Sequence, residues 1–231
     1  MESVSISPKL VYRITAILPV FSIILGIFFC VIKEHAKGIP YLPTISEMLV
    51  NLPESRIFEV GMTISAFLFL IFGYIRDRII QKASERHFPR KTIAFTVLIN
   101  LMRVALVVGT LAMSLLSCNP VKIRRNAHNF FAGTFFGSMF FYFVFGDHLV
   151  PIVGIPVGCF SRILSYLMIV CATCVMIIRR WGAAYFPWKK IYTVGSVLEY
   201  LAVIGQMIKF FIIMNELPEH SLKVSLKNKN I

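Results

Sequence analysis

Six apolar runs dominate this chain: Leu10–Ile32, Ile57–Tyr74, Ile93–Ser117, Ala127–Gly146, Phe160–Ile178 and Ile191–Met214. Each is long enough, at about 1.5 Å per helical residue, to cross a hydrocarbon core of roughly 30 Å. Lipid offers no partner to an unpaired backbone N–H or C=O, so runs of this kind fold as helices. The expected fold class is therefore all-α, a polytopic membrane protein with six transmembrane helices in one bundle. The first run is too long for a signal-peptide core and has no small-residue cleavage site, so it reads as a retained span.

Composition closes off the alternatives. Of 231 residues, 57% are apolar and only 15% charged. A soluble domain averages about 45–50% and about 25%. The segments between runs are too short to hold a separate folded domain, so any function sits in or beside the lipid. A net charge of +13 would suggest nucleic acid in a soluble protein. Here the basic residues lie mostly in short connections, where they set topology and meet anionic headgroups, and no nucleic-acid partner is expected.

Six spans put both ends on one side. That side carries 11 Lys/Arg (residues 1–13, 75–92, 147–159 and 215–231) and the other 10 (33–56, 118–126 and 179–190). Charge bias of this size does not orient the bundle. The densest basic stretch, a connecting loop from Arg76 to Lys91, favours cytosolic ends. So does the tail Lys227-Asn-Lys229-Asn-Ile231, which has the form of a dilysine retrieval signal read by cytosolic coat proteins. A solvated lysine-rich tail is the plainer reading of the same residues.

Ionisable residues inside a span are costly and usually face a partner. Arg103 lies about 15 Å into the third run and Glu199 about 12 Å into the sixth, by helical rise. An ion pair between them is geometrically allowed. Thr96, Arg103, Thr110 and Ser117 share one helix face at seven-residue spacing, as do Tyr192, Glu199 and Gln206. These stripes either bond the helices together or line a polar pocket for a lipid headgroup or a reacting ester. Arg162 and Lys209 near one interface can snorkel. Asp147-His148 reads as a turn in a Pro- and Gly-rich connection. Gly133-Thr-Phe-Phe-Gly137 permits close helix approach. Cys171 and Cys174 read as packing residues, while Cys30 and Cys118 fall near the same surface and can pair. No nucleophile elbow, phosphate-binding glycine loop or zinc spacing occurs. No metal or cofactor is expected.

The segment after the first span, Gly38-Ile39-Pro40-Tyr41-Leu42-Pro43-Thr44-Ile45-Ser46, is held by restricted prolines. It resembles the Pro-Tyr-Leu-Pro-Ser-Ile-Ser signature of the post-GPI-attachment-to-proteins factor 2 family. That family is related to the N-terminal part of the fungal calcofluor-white-hypersensitivity protein and, more distantly, to the damage-regulated autophagy modulators. Further similarities follow in order: Pro53-Glu-Ser-Arg56, Asn126-Ala127, and Tyr192-Thr193 with Leu198-Glu199-Tyr200. The resemblance spans nearly the whole chain.

The resemblance implies a membrane factor of the Golgi or endoplasmic reticulum in GPI-anchor lipid remodelling. It would return an acyl chain to a lyso-anchor as acyltransferase or as accessory. Its partners would be GPI lipid or GPI-anchored proteins, phospholipid and, through Lys227 and Lys229, coat proteins. On this reading Glu199 or His128 supplies a base, with no catalytic residue fixed. Tyr41, Arg56, Arg103, Arg124, Arg125, Asn126 and Tyr200 are candidates for headgroup binding. Three departures stand against a simple transfer of activity, the first being that the connection between the fourth and fifth spans is apolar here where the closest relatives have a longer charged one. Arg124-Arg125 replaces a His-Glu pair of relatives, and Arg103 replaces an acid in the third span. The rival reading is a non-enzymatic regulator of lipid composition, trafficking or autophagy. A transporter lacks the expected inverted repeat.

Overall fold

The computed structural model describes residues 3–87, 92–179, 187–216 and 222–225; the tail lysines Lys227 and Lys229 lie outside them. Six long helices carry the apolar runs: α1 (Pro8–Ile32), α3 (Glu54–His87), α4 (Ile93–Ser117), α5 (Arg125–Ile152), α6 (Cys159–Ile177) and α7 (Trp188–Glu216). A one-turn helix, α2 (Ile45–Met48), lies between α1 and α3. All six long helices are apolar and long enough to cross a membrane. The protein is a multi-pass membrane protein.

Packing runs α1–α3–α4–α5–α6–α7 and closes from α7 back onto α1, so neighbours in sequence are neighbours around a ring. Short strands β1 (Ser3–Ile6) and β2 (Leu222–Ser225) pair antiparallel, with Val4 opposite Val224. The segments 3–6 and 222–225 therefore meet on one face, here the terminal face. The connections 33–53 and 118–124 lie on the opposite, or loop, face.

Each helix turns apolar residues outward, as lipid requires. On α1 the exposed residues Leu10, Ile14, Ile17, Phe21, Ile24, Phe28 and Val31 alternate steps of three and four, which marks one face of a helix. Small hydroxyls face inward instead. Thr15, Ser22 and Ser65 are buried, and each donates to the carbonyl one turn back, at 2.7, 2.9 and 2.7 Å. A hydroxyl satisfied this way can sit in a dry interface without leaving a donor unpaired.

Aromatic rings fill the middle of the ring. Phe210 stacks on Phe69 at 4.3 Å and meets Phe72 and Phe143 edge-on, each at 5.2 Å. This cluster ties α3, α5 and α7 together through close ring contacts worth roughly 1 kcal/mol each beyond burial.

Five sequence expectations are revised. The apolar run ends at Tyr74, yet α3 continues to His87. Residues 75–87 contain no Pro or Gly to stop it; Arg78, Lys82 and Arg86 lie exposed along this extension, while Arg76 and Asp77 pack inward. Arg76 is buried over the Tyr142 ring, and Asp77 receives Arg103 Nε and Nη2 at 3.0 and 2.9 Å. The Arg103–Glu199 pair therefore does not form, because α4 and α7 stand across the ring and Arg103 finds an acid on adjacent α3.

Lys209 does not snorkel. It is fully buried, with Nζ donating to both Asp147 oxygens at 2.6 and 2.8 Å and to the Ser161 carbonyl at 2.9 Å. Asp147 accordingly belongs to α5, which runs on to Ile152, and not to a turn. Cys30 and Cys118 are both free thiols, the first buried and the second exposed.

Candidate functional site

The signature loop after α1 folds back over the loop face of the ring and is bonded to α7 along its length. The Leu42 N–H donates to Thr193 Oγ1 at 3.3 Å, Tyr200 donates its hydroxyl to the Pro43 carbonyl at 3.2 Å, and the Ser46 N–H donates to Glu199 Oε1 at 3.3 Å. Tyr41 stacks on Tyr192, centroid to centroid 5.4 Å. The two motifs that stand out in the sequence, at 38–46 and at 192–200, are thus the two sides of one contact.

The turn itself is fixed locally. Thr44 caps α2 by accepting from Glu47 N at 3.2 Å, and Glu47 Oε2 accepts from Thr44 N at 3.0 Å. This reciprocal box satisfies two donors that a helix start otherwise leaves open. The other Glu47 oxygen accepts from Arg179 Nη1 at 2.9 Å and from the Tyr41 hydroxyl at 3.1 Å. Burial raises the carboxyl's pKa, but the Arg179 bond, the Thr44 backbone donor and the Tyr41 hydroxyl outweigh it and hold Glu47 below its ordinary value. Tyr41 is pushed up, first by burial and then by the Glu47 charge. Arg179 is raised as well, since its bond to Glu47 and that carboxylate's charge overcome the cost of burial.

Ser46 and His128 meet beneath this turn. His128, 5% exposed in the first turns of α5, has Nδ1 2.8 Å from the Asn119 carbonyl and Nε2 3.0 Å from Ser46 Oγ. A carbonyl can only accept, so Nδ1 carries the proton. The Nε2 lone pair of the neutral ring then faces Ser46, whose hydroxyl donates to it. Asn119 is held in turn, its Nδ2 donating to the Leu115 carbonyl at 2.6 Å at the end of α4.

Ser46, His128, Glu199 and Arg179 all border a cavity of about 100 Å³ enclosed by the ring. Every long helix contributes to its wall, which is otherwise apolar: Ile23, Phe58, Met113, Phe136, Met176 and Met207 are among the lining residues. Met176 is also 54% exposed on the outer surface, so the wall there is one side chain thick. A second cavity of about 460 Å³ lies on the loop face, bordered by His35, Tyr41, Glu47, Lys122, Arg125 and Tyr192. Arg179 and Val121 border both. Arg179 Nη2 is buried and has no hydrogen-bond partner among the described residues.

Of the sequence candidates, Glu199, His128, Tyr41, Tyr200 and Arg125 converge here. Arg56 instead pairs with Glu59 on the exposed start of α3. Arg103 pairs with Asp77 elsewhere, Arg124 donates to Asn119 Oδ1 at 3.4 Å, and Asn126 is exposed. Ser46, Asn119, Glu47 and Arg179 are site residues that sequence reasoning did not single out. Ser46 closes the signature segment and so carried a signal. Asn119 acts through its backbone carbonyl and carries none. Among the described residues no group of three or more His, Cys, Asp or Glu lies together as a metal would require.

A six-span ring around a small apolar cavity, with a polar and basic cavity beside it on the loop face and Arg179 bordering both, defines a multi-pass membrane protein with its polar groups gathered at one end. Residues 8–220 match the family model for the Frag1/DRAM/Sfk1/Cwh43P N-terminal domain, and the chain belongs to that family. No curated protein and no solved structure matches the chain.

Proposed function

We propose that this protein acts in remodelling the lipid of glycosylphosphatidylinositol anchors, in the membrane of the Golgi or endoplasmic reticulum. The observation that carries the reading is that Arg179 borders both an apolar cavity among the helices and a polar, basic cavity on the loop face. A lipid with a few methylenes of its acyl chain in the apolar cavity would have its headgroup phosphate in the polar cavity, among Lys122, Arg125 and Arg179, whose Nη2 has no hydrogen-bond partner among the described residues. Arginine in such a place matches phosphate oxygens well. The hydroxyls of Tyr41 and the residues of the 38–46 turn are suited to hold a polyol such as inositol.

The reading places the loop face in the lumen, where anchors reside, and the two ends in the cytosol. Lys227 and Lys229 then serve retrieval by coat proteins. GPI lipid or GPI-anchored proteins are the partners, within a phospholipid membrane.

Anchor lipids from deletion cells, compared by mass spectrometry with those of the parent, test the reading. Lyso-anchors should accumulate and the proteins carrying them should be shed. Unchanged anchor lipids in cells with no second family member would overturn it and favour a regulatory role. A glycosylation site introduced at residues 36–39 should be used, and one in the tail should not.

A further inference from the structure

We infer that Ser46 is an acyl-transfer nucleophile, activated by His128, and that the protein moves acyl chains through an ester on Ser46 Oγ. The inference deepens the lipid-remodelling reading and rests on it for the class of donor and acceptor, both glycerolipids of the membrane.

The geometry has the parts such chemistry needs. A hydroxyl nucleophile is weak until a base takes its proton, and the base must be held in the right tautomer. Here the Asn119 carbonyl fixes the proton on Nδ1 at 2.8 Å and leaves Nε2 as acceptor, 3.0 Å from Ser46 Oγ. A backbone carbonyl thus does the orienting that a carboxylate does in other serine nucleophiles. The Ser46 backbone is itself pinned by Glu199, which makes Glu199 a positioning residue. The pair stands at the edge of an apolar chamber, and Arg179 Nη2 on the same wall is a charged donor with no hydrogen-bond partner among the described residues.

In the first half-reaction Ser46 Oγ attacks the carbonyl carbon of a glycerolipid ester. His128 Nε2 takes the hydroxyl proton, and Arg179 meets the negative charge that gathers on the carbonyl oxygen. The bond from that carbon to the glycerol oxygen breaks, and the leaving oxygen takes the proton from His128. The products are acyl-Ser46 and a lysolipid. In the second half-reaction a lysolipid hydroxyl gives its proton to Nε2 and attacks the Ser46 ester. The bond to Oγ breaks, Oγ regains the proton, and the acceptor leaves acylated. No electrons are exchanged and no water is consumed.

The full chain in phosphatidylcholine nanodiscs, treated with hexadecyl fluorophosphonate, tests the inference. Tandem mass spectrometry should find one adduct, on Ser46. Ser46→Ala should carry none, and His128→Gln should react about 100-fold or more slowly, the size of a lost general base. Glu199→Gln keeps an acceptor oxygen and should react within about tenfold of wild type. Thermal unfolding of each variant shows that it is folded. Should Ser46→Ala not fold, Ser46→Cys replaces it and should hold its acyl group as a hydroxylamine-labile thioester.

With dipalmitoylphosphatidylcholine alone, wild type should gain one palmitoyl group on Ser46 and lose it when lysophosphatidylinositol is added. Folded wild type that forms neither adduct, or Ser46→Ala that transfers palmitate at the wild-type rate, overturns the inference. The two readings fail separately. Ser46→Ala that restores anchor lipids in deletion cells refutes the nucleophile and leaves the remodelling role. Acyl-Ser46 formed by a protein whose deletion leaves anchors unchanged refutes the role and leaves the nucleophile.

Discussion

Tyr200 donates its hydroxyl to the Pro43 carbonyl at 3.2 Å, fastening the last membrane helix to a loop 157 residues earlier in the chain. The bond holds the α2 turn in place and, with it, the Ser46 hydroxyl against His128. Tyr200→Phe removes the donor and leaves the ring. The expected cost is about 1 kcal/mol of stability. Hydrogen exchange should rise at residues 42–48 while the amides of α4 stay protected.

The Glu47–Arg179 contact should make the same turn sensitive to acid. Glu47 sits below its ordinary pKa, so the folded state binds its proton more weakly than the unfolded chain does. Its contribution is therefore complete above the ordinary value of 4.5 and is lost as pH falls through the lower, folded value. Arg179 stays charged throughout. Exchange at residues 41–48 should accelerate on acidification through that window. Glu47→Gln should show the loosened pattern already at neutral pH and no further change at that step.

Lys209 and Asp147 form a buried pair, with side chains 0% and 4% exposed. Removing one partner strands the other charge, so Lys209→Met or Asp147→Leu alone should cost about 3–5 kcal/mol. Changing both should cost much less than the sum, because no charge is left behind. A double-mutant cycle on thermal unfolding in detergent measures the difference. Equal and additive losses would show that the pair is not coupled.

Gly61 and Gly137 should respond oppositely to alanine. A methyl on Gly61 of α3 would overlap the Ser22 side chain on α1, and Ser22 is itself bonded to its own helix. Gly61→Ala should destabilise the protein by roughly 1–3 kcal/mol. A methyl on Gly137 meets nothing within 4 Å, so Gly137→Ala should be neutral or stabilise by up to about 1 kcal/mol. Unfolding temperatures of the two variants make the comparison.

Much of the architecture was legible because lipid makes the code simple. Ile93–Ser117 is the same helix in the sequence reading and in the fold, and the other spans begin within a few residues of their apolar runs. The error at α3 has a plain cause. Hydropathy marks where a chain meets lipid, not where a helix stops, and a basic segment without Pro or Gly carries on as helix. Gly133-Thr-Phe-Phe-Gly137 is no paired close-approach motif: a methyl on Gly133 would lie against Met176 of α6, while one on Gly137 would meet nothing within 4 Å.

Pairing was a different matter. The sequence by itself determined six spans, a shaped loop after the first, the expense of each charge within the membrane and the family resemblance. Depth along a helix follows from counting residues, since every residue adds the same rise. Which charge meets which depends on the order of helices around the ring and on the rotation of each, and those arise from packing between segments far apart in the chain. So Arg103 went to Asp77 and Lys209 to Asp147, while Glu199 received a backbone N–H. Ser46 and His128, separated by 82 residues, became partners only when the loop after α1 closed over the cavity.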